Sequence, residues 1–312
     1  GQGRDHRGAG TQCTGDPVSR ITHMAARRRD LTAMAQRCFS DEPLCRTGRS
    51  FDIFEAVDAT DRKVAVKRAR NPTGLDKQRF AREARLGRAL RHTGLASVLD
   101  HAPDRIVFEW LEGSLLDHEG ATVFRSLRDI AEVLAHMHAR GVVHRDIKPA
   151  HIMFRNDRAV LIDLGVAGLV GGTGRLDIGE IVGSPAWMAP EQMLGAAPEP
   201  SADVWSLCAV AHRVVNGRPL YAGTADAVLA ARRAEPEPRP DFSSLADRRL
   251  ADALHAGFAT APNRPSAREL AAALAVIGGR EPESASAAPL YEAAEFVPEN
   301  NTPPETGSTK VS

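Results

Sequence analysis

The period of the apolar residues changes once along this chain, and that change constrains the fold more than any other feature. Up to about Glu112 and Gly113 the apolar residues mostly alternate, as in FDIFEAV (51–57), KVAVKRA (63–69) and RIVFEWL (105–111), short runs rich in β-branched and aromatic residues. The turn-like DATD (58–61) between the first two predicts a hairpin. One segment with helical spacing, KQRFAREARLGRALRH (77–92), interrupts them. Beyond Gly113 helical spacing dominates. FRSLRDIAEVLAHMHARG (124–141) puts Leu127, Ile130, Leu134 and Met137 on one stripe and stops at Gly141, which suits a helix C-terminus. ADVWSLCAVAHRVV (202–215) carries Val204, Leu207, Cys208, Ala211 and Val214 and predicts a strongly apolar central helix. Ser266 and Glu269 have capping-box spacing at the start of a last helix. These elements predict an α+β architecture of two lobes, a small β-rich lobe with one main helix over residues 44–112 and a larger, mostly helical lobe over 113–279.

A chain of 312 residues, 43% hydrophobic and 26% charged, can bury cores for two such lobes. Basic and acidic residues balance at 40 each, so no global field draws in nucleic acid or an acidic membrane surface, and any anion must be handled locally. Cys13, Cys38, Cys45 and Cys208 show neither C-x-x-C pairing nor metal-ligand spacing, as expected of reduced thiols in a reducing cytosol. No apolar run approaches the ~18 residues of a membrane span, and the start shows no secretory signal pattern. The expectation is a cytoplasmic protein without a membrane span. Residues 1–43, rich in glycine, arginine and small polar residues, are expected to be mostly disordered, with Met24 a candidate start. Residues 280–312, which mix proline, glutamate, serine and threonine, are expected to form a flexible tail.

Several charges sit where charge needs a partner. Glu83 shares a helical face with Leu86 and Leu90, so its carboxylate calls for a cation. Lys67, on one face of an alternating strand with Ala65, is a candidate; the plainer reading has Glu83 flanking the stripe and Lys67 in solvent. Asp146 and Lys148 follow the short strand VVH, and Asp163 ends AVLID just before Gly165, which is expected to let the chain turn sharply. Carboxylates at strand ends beside a cleft suit a metal ion and a proton acceptor, with a lysine to neutralise phosphate. Any one of them alone would read equally well as a turn former.

Taken in order, VAVK (64–67), REA around Glu83, EWLEG (109–113), HRDIKPAH (144–151), DLG (163–165) and APE (189–191) resemble the protein kinase family in sequence and spacing over about residues 44–279. The resemblance implies a serine/threonine protein kinase of bacterial, eukaryotic-like type that uses ATP with Mg²⁺ or Mn²⁺ and acts on a protein substrate. It implies that Lys67 holds the α- and β-phosphates, that Glu83 fixes Lys67, and that Asp163 binds the metal. Asp146 would orient the attacking hydroxyl and accept its proton, and Lys148 would meet the γ-phosphate. The adenine would lie between Ala65 and Met153, beside Ile53, against backbone groups of Glu109 and Leu111, with Gly48 in the loop over the phosphates. Ser184 would reach toward Asp146, Glu191 would pair with Arg264, and Asp203 would anchor the catalytic loop. Arg145 would read a phosphate on Thr173, or a permanent charge from Asp177 or Glu180.

The chain departs from the family pattern at four places. His151 stands where the second metal ligand is normally an asparagine, and an imidazole nitrogen suits softer ions than Mg²⁺. In RTGRSFDIFEA only Gly48 survives of the phosphate loop, with Arg46 and Phe51 at the other glycine positions. Gly87 replaces an apolar residue, usually leucine, in the column that links the lobes, and Leu164 replaces phenylalanine. On His151 and the depleted loop rests the alternative implied function, a pseudokinase serving as a nucleotide-binding scaffold or allosteric partner. Oligomeric state is not legible.

Overall fold

A computed structural model describes residues 45–47, 51–70, 73–118, 121–172, 184–234 and 239–278. The expectations for residues 1–43 and 280–312, and for Gly48, Thr173, Asp177 and Glu180, lie outside the described residues.

The first lobe is a five-stranded antiparallel sheet in the order β1-β2-β3-β5-β4, formed by β1 (Cys45–Thr47), β2 (Phe51–Val57), β3 (Lys63–Ala69), β4 (Val98–Ala102) and β5 (Arg105–Glu109). The hairpin at 58–61 forms as expected. Asp58 Oδ1 accepts the Thr60 amide at 2.7 Å, and the Asp58 amide closes the turn on Arg62 O at 2.9 Å. Alternation sorts the strands: Phe54, Ala56, Val64, Val66 and Val107 make a cluster on one face. On the other face Ala69, Phe80, Ala84 and Ile106 pack the sheet against α1 (Gly74–Ala89). A Thr73–Asp76 capping box satisfies amides at the start of α1, with Thr73 N–H donating to Asp76 Oδ2 at 3.0 Å and Asp76 N–H to Thr73 Oγ1 at 3.2 Å.

The second lobe is built on α2 (Ala121–His138) and α4 (Pro200–Asn216), with α3 (Pro190–Met193), α5 (Ala225–Ala234), α6 (Arg248–Ala256) and α7 (Ala267–Gly278) around them. Leu127, Ile130, Leu134 and Met137 all have no exposed surface, so the predicted stripe is the core-facing one. After α2 the chain reverses at Gly141, φ +71°, a left-handed conformation that disfavours a side chain. Residues Ala202–His212 of α4 are buried without a break, which makes it the central helix that its composition predicts. Ser266 and Glu269 form the expected capping box before α7.

Between these helices run the short strands β6 (Val142–Val143), β7 (Ile152–Arg155), β8 (Arg158–Leu161) and β9 (Gly168–Leu169), paired β6-β9 and β7-β8. The two lobes are stitched along one edge. Glu112 and Phe154 exchange backbone hydrogen bonds of 3.0 and 2.9 Å, and Leu161 pairs with the segment before β4 through Ala96 N–H (3.0 Å) and Gly94 O (2.8 Å). Arg155, on β7, donates Nε to Glu109 Oε2 at 2.8 Å, Nη2 to Glu109 Oε1 and Nη1 to Thr93 O. No described helix is long and apolar enough to cross a membrane.

Candidate active site

Two polar clusters face each other where the lobes meet. In the first, register does the placing: Lys67 lies opposite Ile53 on β2 and Ile106 on β5, which turns its side chain to the α1 side of the sheet. There Lys67 Nζ donates to Glu83 Oε1 and Oε2 at 3.1 and 3.0 Å and to Asp163 Oδ1 at 2.8 Å. Lys67 is 6% and Glu83 2% exposed, so the plainer reading, with Glu83 flanking the stripe and Lys67 in solvent, does not hold. Burial alone would lower the Lys67 ammonium; Glu83 and Asp163 outweigh it and hold it above its ordinary range. Burial pushes Glu83 up to about 7, with Asp163 adding to the rise and Lys67 opposing it. Asp163 is held well below the usual carboxylate range, Lys67 overcoming the penalty of burial.

The chain turns at Gly165 as expected, in the turn Leu164–Ala167 closed by Ala167 N–H on Leu164 O at 3.1 Å, and the residue just before that turn, Asp163, is itself left-handed at φ +67°. What Gly165 supplies is space: a Cβ there would lie 3.0 Å from Asp163 Oδ1, 3.2 Å from Glu83 Oε2 and 3.4 Å from Lys67 Nζ. Its amide also donates to Asp163 Oδ1 at 3.1 Å.

The second cluster is the loop after β6. Lys148 Nζ donates to Asp146 Oδ2 at 2.8 Å and to Ser184 Oγ at 2.9 Å, and the Ser184 amide donates to Asp146 Oδ1 at 2.9 Å. Asp146 is held below its ordinary range: burial would raise it, and His151, then Lys148, outweigh that. Beneath the loop Asp203 is fully buried and accepts three hydrogen bonds of 2.8 Å, from His138 Nε2, the His144 amide and the Arg145 amide. This fixes Arg145 at φ +73°, an uncommon conformation for a residue with a side chain. Burial would raise the Asp203 carboxyl; His138 foremost brings it below the usual value.

His151 joins the clusters. Its Nδ1 lies 2.8 Å from Asp146 O, and a carbonyl only accepts, so Nδ1 carries the proton. Nε2 is then a lone pair, 3.6 Å from Asp163 Oδ2. Burial pushes His151 down to about 4, so the ring is neutral near pH 7. A buried imidazole nitrogen and a half-buried carboxylate oxygen 3.6 Å apart, neither bonding the other, fit a cation between them. Among the described residues no group of three or more His, Cys, Asp or Glu forms a cation cage by itself. Two protein donors suit an ion whose remaining ligands are phosphate oxygens and water.

The cleft walls follow the strand alternation. Ile53, Ala65 and Met153 are each half-buried between residues such as Phe54, Val64, Val66, Ile152 and Phe154 that are buried, so they face the cleft and not the lobe cores. Leu111 is 7% exposed. The Glu109 amide already donates to Ser97 O at 3.1 Å, which leaves at most its carbonyl for a ligand. Phe51 shares a face with Ile53 and Lys67; its ring is 5.1 Å from that of Phe80 and 5.4 Å from Lys67 Nζ. At Gly87, where the family pattern has an apolar side chain, the space is taken from β4, since a Cβ there would meet Val98 Cγ2 at 2.6 Å.

Around the site, Arg264 grips Glu191 with both terminal nitrogens, Nη2 at 3.0 Å from Oε2, and gives Nε to Ala259 O at 2.8 Å. Arg145 is lowered from its ordinary value by burial and by Arg82, whose Nη2 donates to Ala167 O at 2.6 Å. Reading the sequence missed Arg82, His138, Arg155 and Arg232. Each makes its bonds to backbone carbonyls or to distant side chains, and no spacing marks such a partner.

A family model described as the protein kinase domain matches residues 47–270. The serine/threonine-protein kinase PknA of Mycobacterium tuberculosis is 33% identical over 219 residues, covering 63% of this chain and 51% of that protein. A probable serine/threonine-protein kinase of Streptomyces coelicolor is 29% identical over 220 residues, covering 63% of this chain and 33% of its own length. PknB of Mycolicibacterium smegmatis is 29% identical over 208 residues, covering 60% and 33%. The chain thus spans about half the length of the first relative and a third of the other two.

Proposed function

Since the chain belongs to the protein kinase family, we propose that it is a serine/threonine protein kinase that transfers the γ-phosphoryl group of ATP to a protein hydroxyl. What carries the reading is the convergence of Lys67, Glu83 and Asp163 at one point and of Asp146, Lys148 and Ser184 at another, with His151 between. An ammonium held by a carboxylate suits the α- and β-phosphates, and a carboxylate whose two oxygens are oriented by Lys148 and Ser184 suits a hydroxyl proton. Lys148 favours serine or threonine, because tyrosine kinases usually differ at this position.

In this reading the adenine is held by Ala65, Ile53 and Met153 and by backbone groups of Glu109 and Leu111, with Gly48 over the phosphates. Asp163 and His151 would hold a divalent cation, which supplies charge neutralisation at the phosphates. The neutral imidazole, with Nε2 aimed at Asp163, supports Mn²⁺ beside Mg²⁺. Glu191, Arg264 and Asp203 hold the loops, and Arg145 reads the charge supplied by Thr173 or its acidic neighbours. We take residues 44–112 and 113–279 as the two lobes, and a reducing, cytoplasmic setting from the cysteine pattern.

The test is phosphoryl transfer from labelled ATP to a generic basic protein, with Mg²⁺ or Mn²⁺ and with an Asp146→Asn control. Transfer that vanishes in the control is expected. No transfer with either metal refutes the reading and leaves a scaffold.

A further inference from the structure

The loop Ser184–Met188 is held on one side by Asp146 and Lys148 and on the other by a residue that no motif names. Arg232, on α5, places Nη1 2.8 Å from Pro185 O and 2.6 Å from Met188 O, and so straps the first residue of the 3₁₀ turn Pro185–Trp187 to the residue that follows the turn. Its guanidinium lies 4.5 Å from the ring centroid of Tyr221 and 5.1 Å from that of Trp205, both buried rings. Stacking fixes the plane of the fork, and the fork fixes the loop.

We propose that Arg232 is a positioning residue for the protein substrate, setting the backbone of residues 184–188 against Asp146. The inference rests on the kinase reading and names a determinant of acceptor binding within it. The path is short: Arg232 holds Pro185 O, Pro185 follows Ser184, and the Ser184 amide orients Asp146 Oδ1. Packing alone does not call for an arginine there. Val228 is the buried residue on the described face of α5, while Ala225, Asp226 and Ala227 are exposed, so the helix contributes little core that a charged fork would improve. The nucleotide side of the cleft makes none of these contacts. Loss of the fork therefore falls on the acceptor and spares ATP.

The test compares wild type with Arg232→Met, which keeps length and apolar bulk, and Arg232→Lys, which keeps a donor and charge but loses the planar stack. In Arg232→Met the KM for the protein substrate rises about tenfold, the worth of one charge-assisted hydrogen bond, while the KM for ATP stays within about twofold. Arg232→Lys falls between. Parallel rises in both KM values, or none, would overturn the proposal, and Arg232→Lys carries the test if the methionine variant does not fold. If the wild type transfers no phosphate, the kinase reading fails and amide hydrogen exchange decides instead. Faster exchange at Ser184 and Trp187 in the variant, with α7 unchanged, upholds the strap; unchanged exchange at those amides overturns it.

Discussion

Replacing Asp203 by asparagine changes no shape and one atom, yet the structure makes it costly. The carboxylate accepts from His138 Nε2 and the His144 amide through Oδ2 and from the Arg145 amide through Oδ1, each at 2.8 Å. An amide has one acceptor oxygen and one donor nitrogen, so in either orientation its NH₂ meets at least one buried N–H. A buried donor left unpaired costs about 1–3 kcal/mol, and the surviving bonds lose charge assistance, for a total of about 2–4 kcal/mol. At roughly 2–4 °C per kcal/mol for a domain of this size, Asp203→Asn should lower Tm by roughly 4–16 °C. Denaturant titration and thermal unfolding measure this directly. The loss should be accompanied by reduced phosphoryl transfer, because Arg145 is freed from φ +73° and Asp146 is its neighbour. A change of less than about 0.5 kcal/mol would show that Asp203 is not what holds the catalytic loop.

Gly165→Ala should weaken ATP binding and destabilise the fold by about 1–3 kcal/mol, since its methyl would press on Asp163 and Glu83 at 3.0 and 3.2 Å; isothermal titration and unfolding check this. In the nucleotide-free protein, carbon NMR should find the Glu83 carboxyl titrating at about 7, above its ordinary 4.5, and Lys67→Met should move it higher by removing the opposing ammonium. A carboxyl raised on folding favours the folded state below its unfolded value and loses that contribution as pH rises through about 7. Phe51→Leu keeps apolar packing on Phe80 but removes the ring near Lys67 Nζ. It should tighten ATP by up to about thirtyfold, a cation–π contact being worth about 0.5–2 kcal/mol, and leave adenosine binding unchanged; equal effects on both ligands would count against it.

The change of apolar period was enough to foresee two lobes, because burial on one face of a strand or helix writes itself into adjacent residues. The Lys67–Glu83 pair was half legible: a carboxylate among leucines demands a cation, but spacing could not say which one, and the β2-β3-β5 register settled it. Gly165 was half legible: its turn forms, but the room its missing side chain leaves for three charges comes from other elements and left no mark in the local sequence. Gly87 could be seen only as a departure from the family pattern, because the atom that fills its place belongs to Val98, on a strand distant in sequence. Arg155 and Arg232 were invisible for a like reason: their partners, the Glu109 carboxylate for one and backbone carbonyls for both, lie far off in the sequence.

The stitching along one edge decides how this molecule can breathe. With Arg155 clasping Glu109 and Thr93, and Glu112 laced to Phe154, the lobes cannot slide or separate at the back without breaking several bonds together. On the cleft side the lobes are tied again by Lys67 to Asp163 and by Arg82 to Ala167, so a swing about that seam would have to part these two contacts first. The seam thus acts as a spine and the Lys67–Asp163 pair as a clasp on the open side.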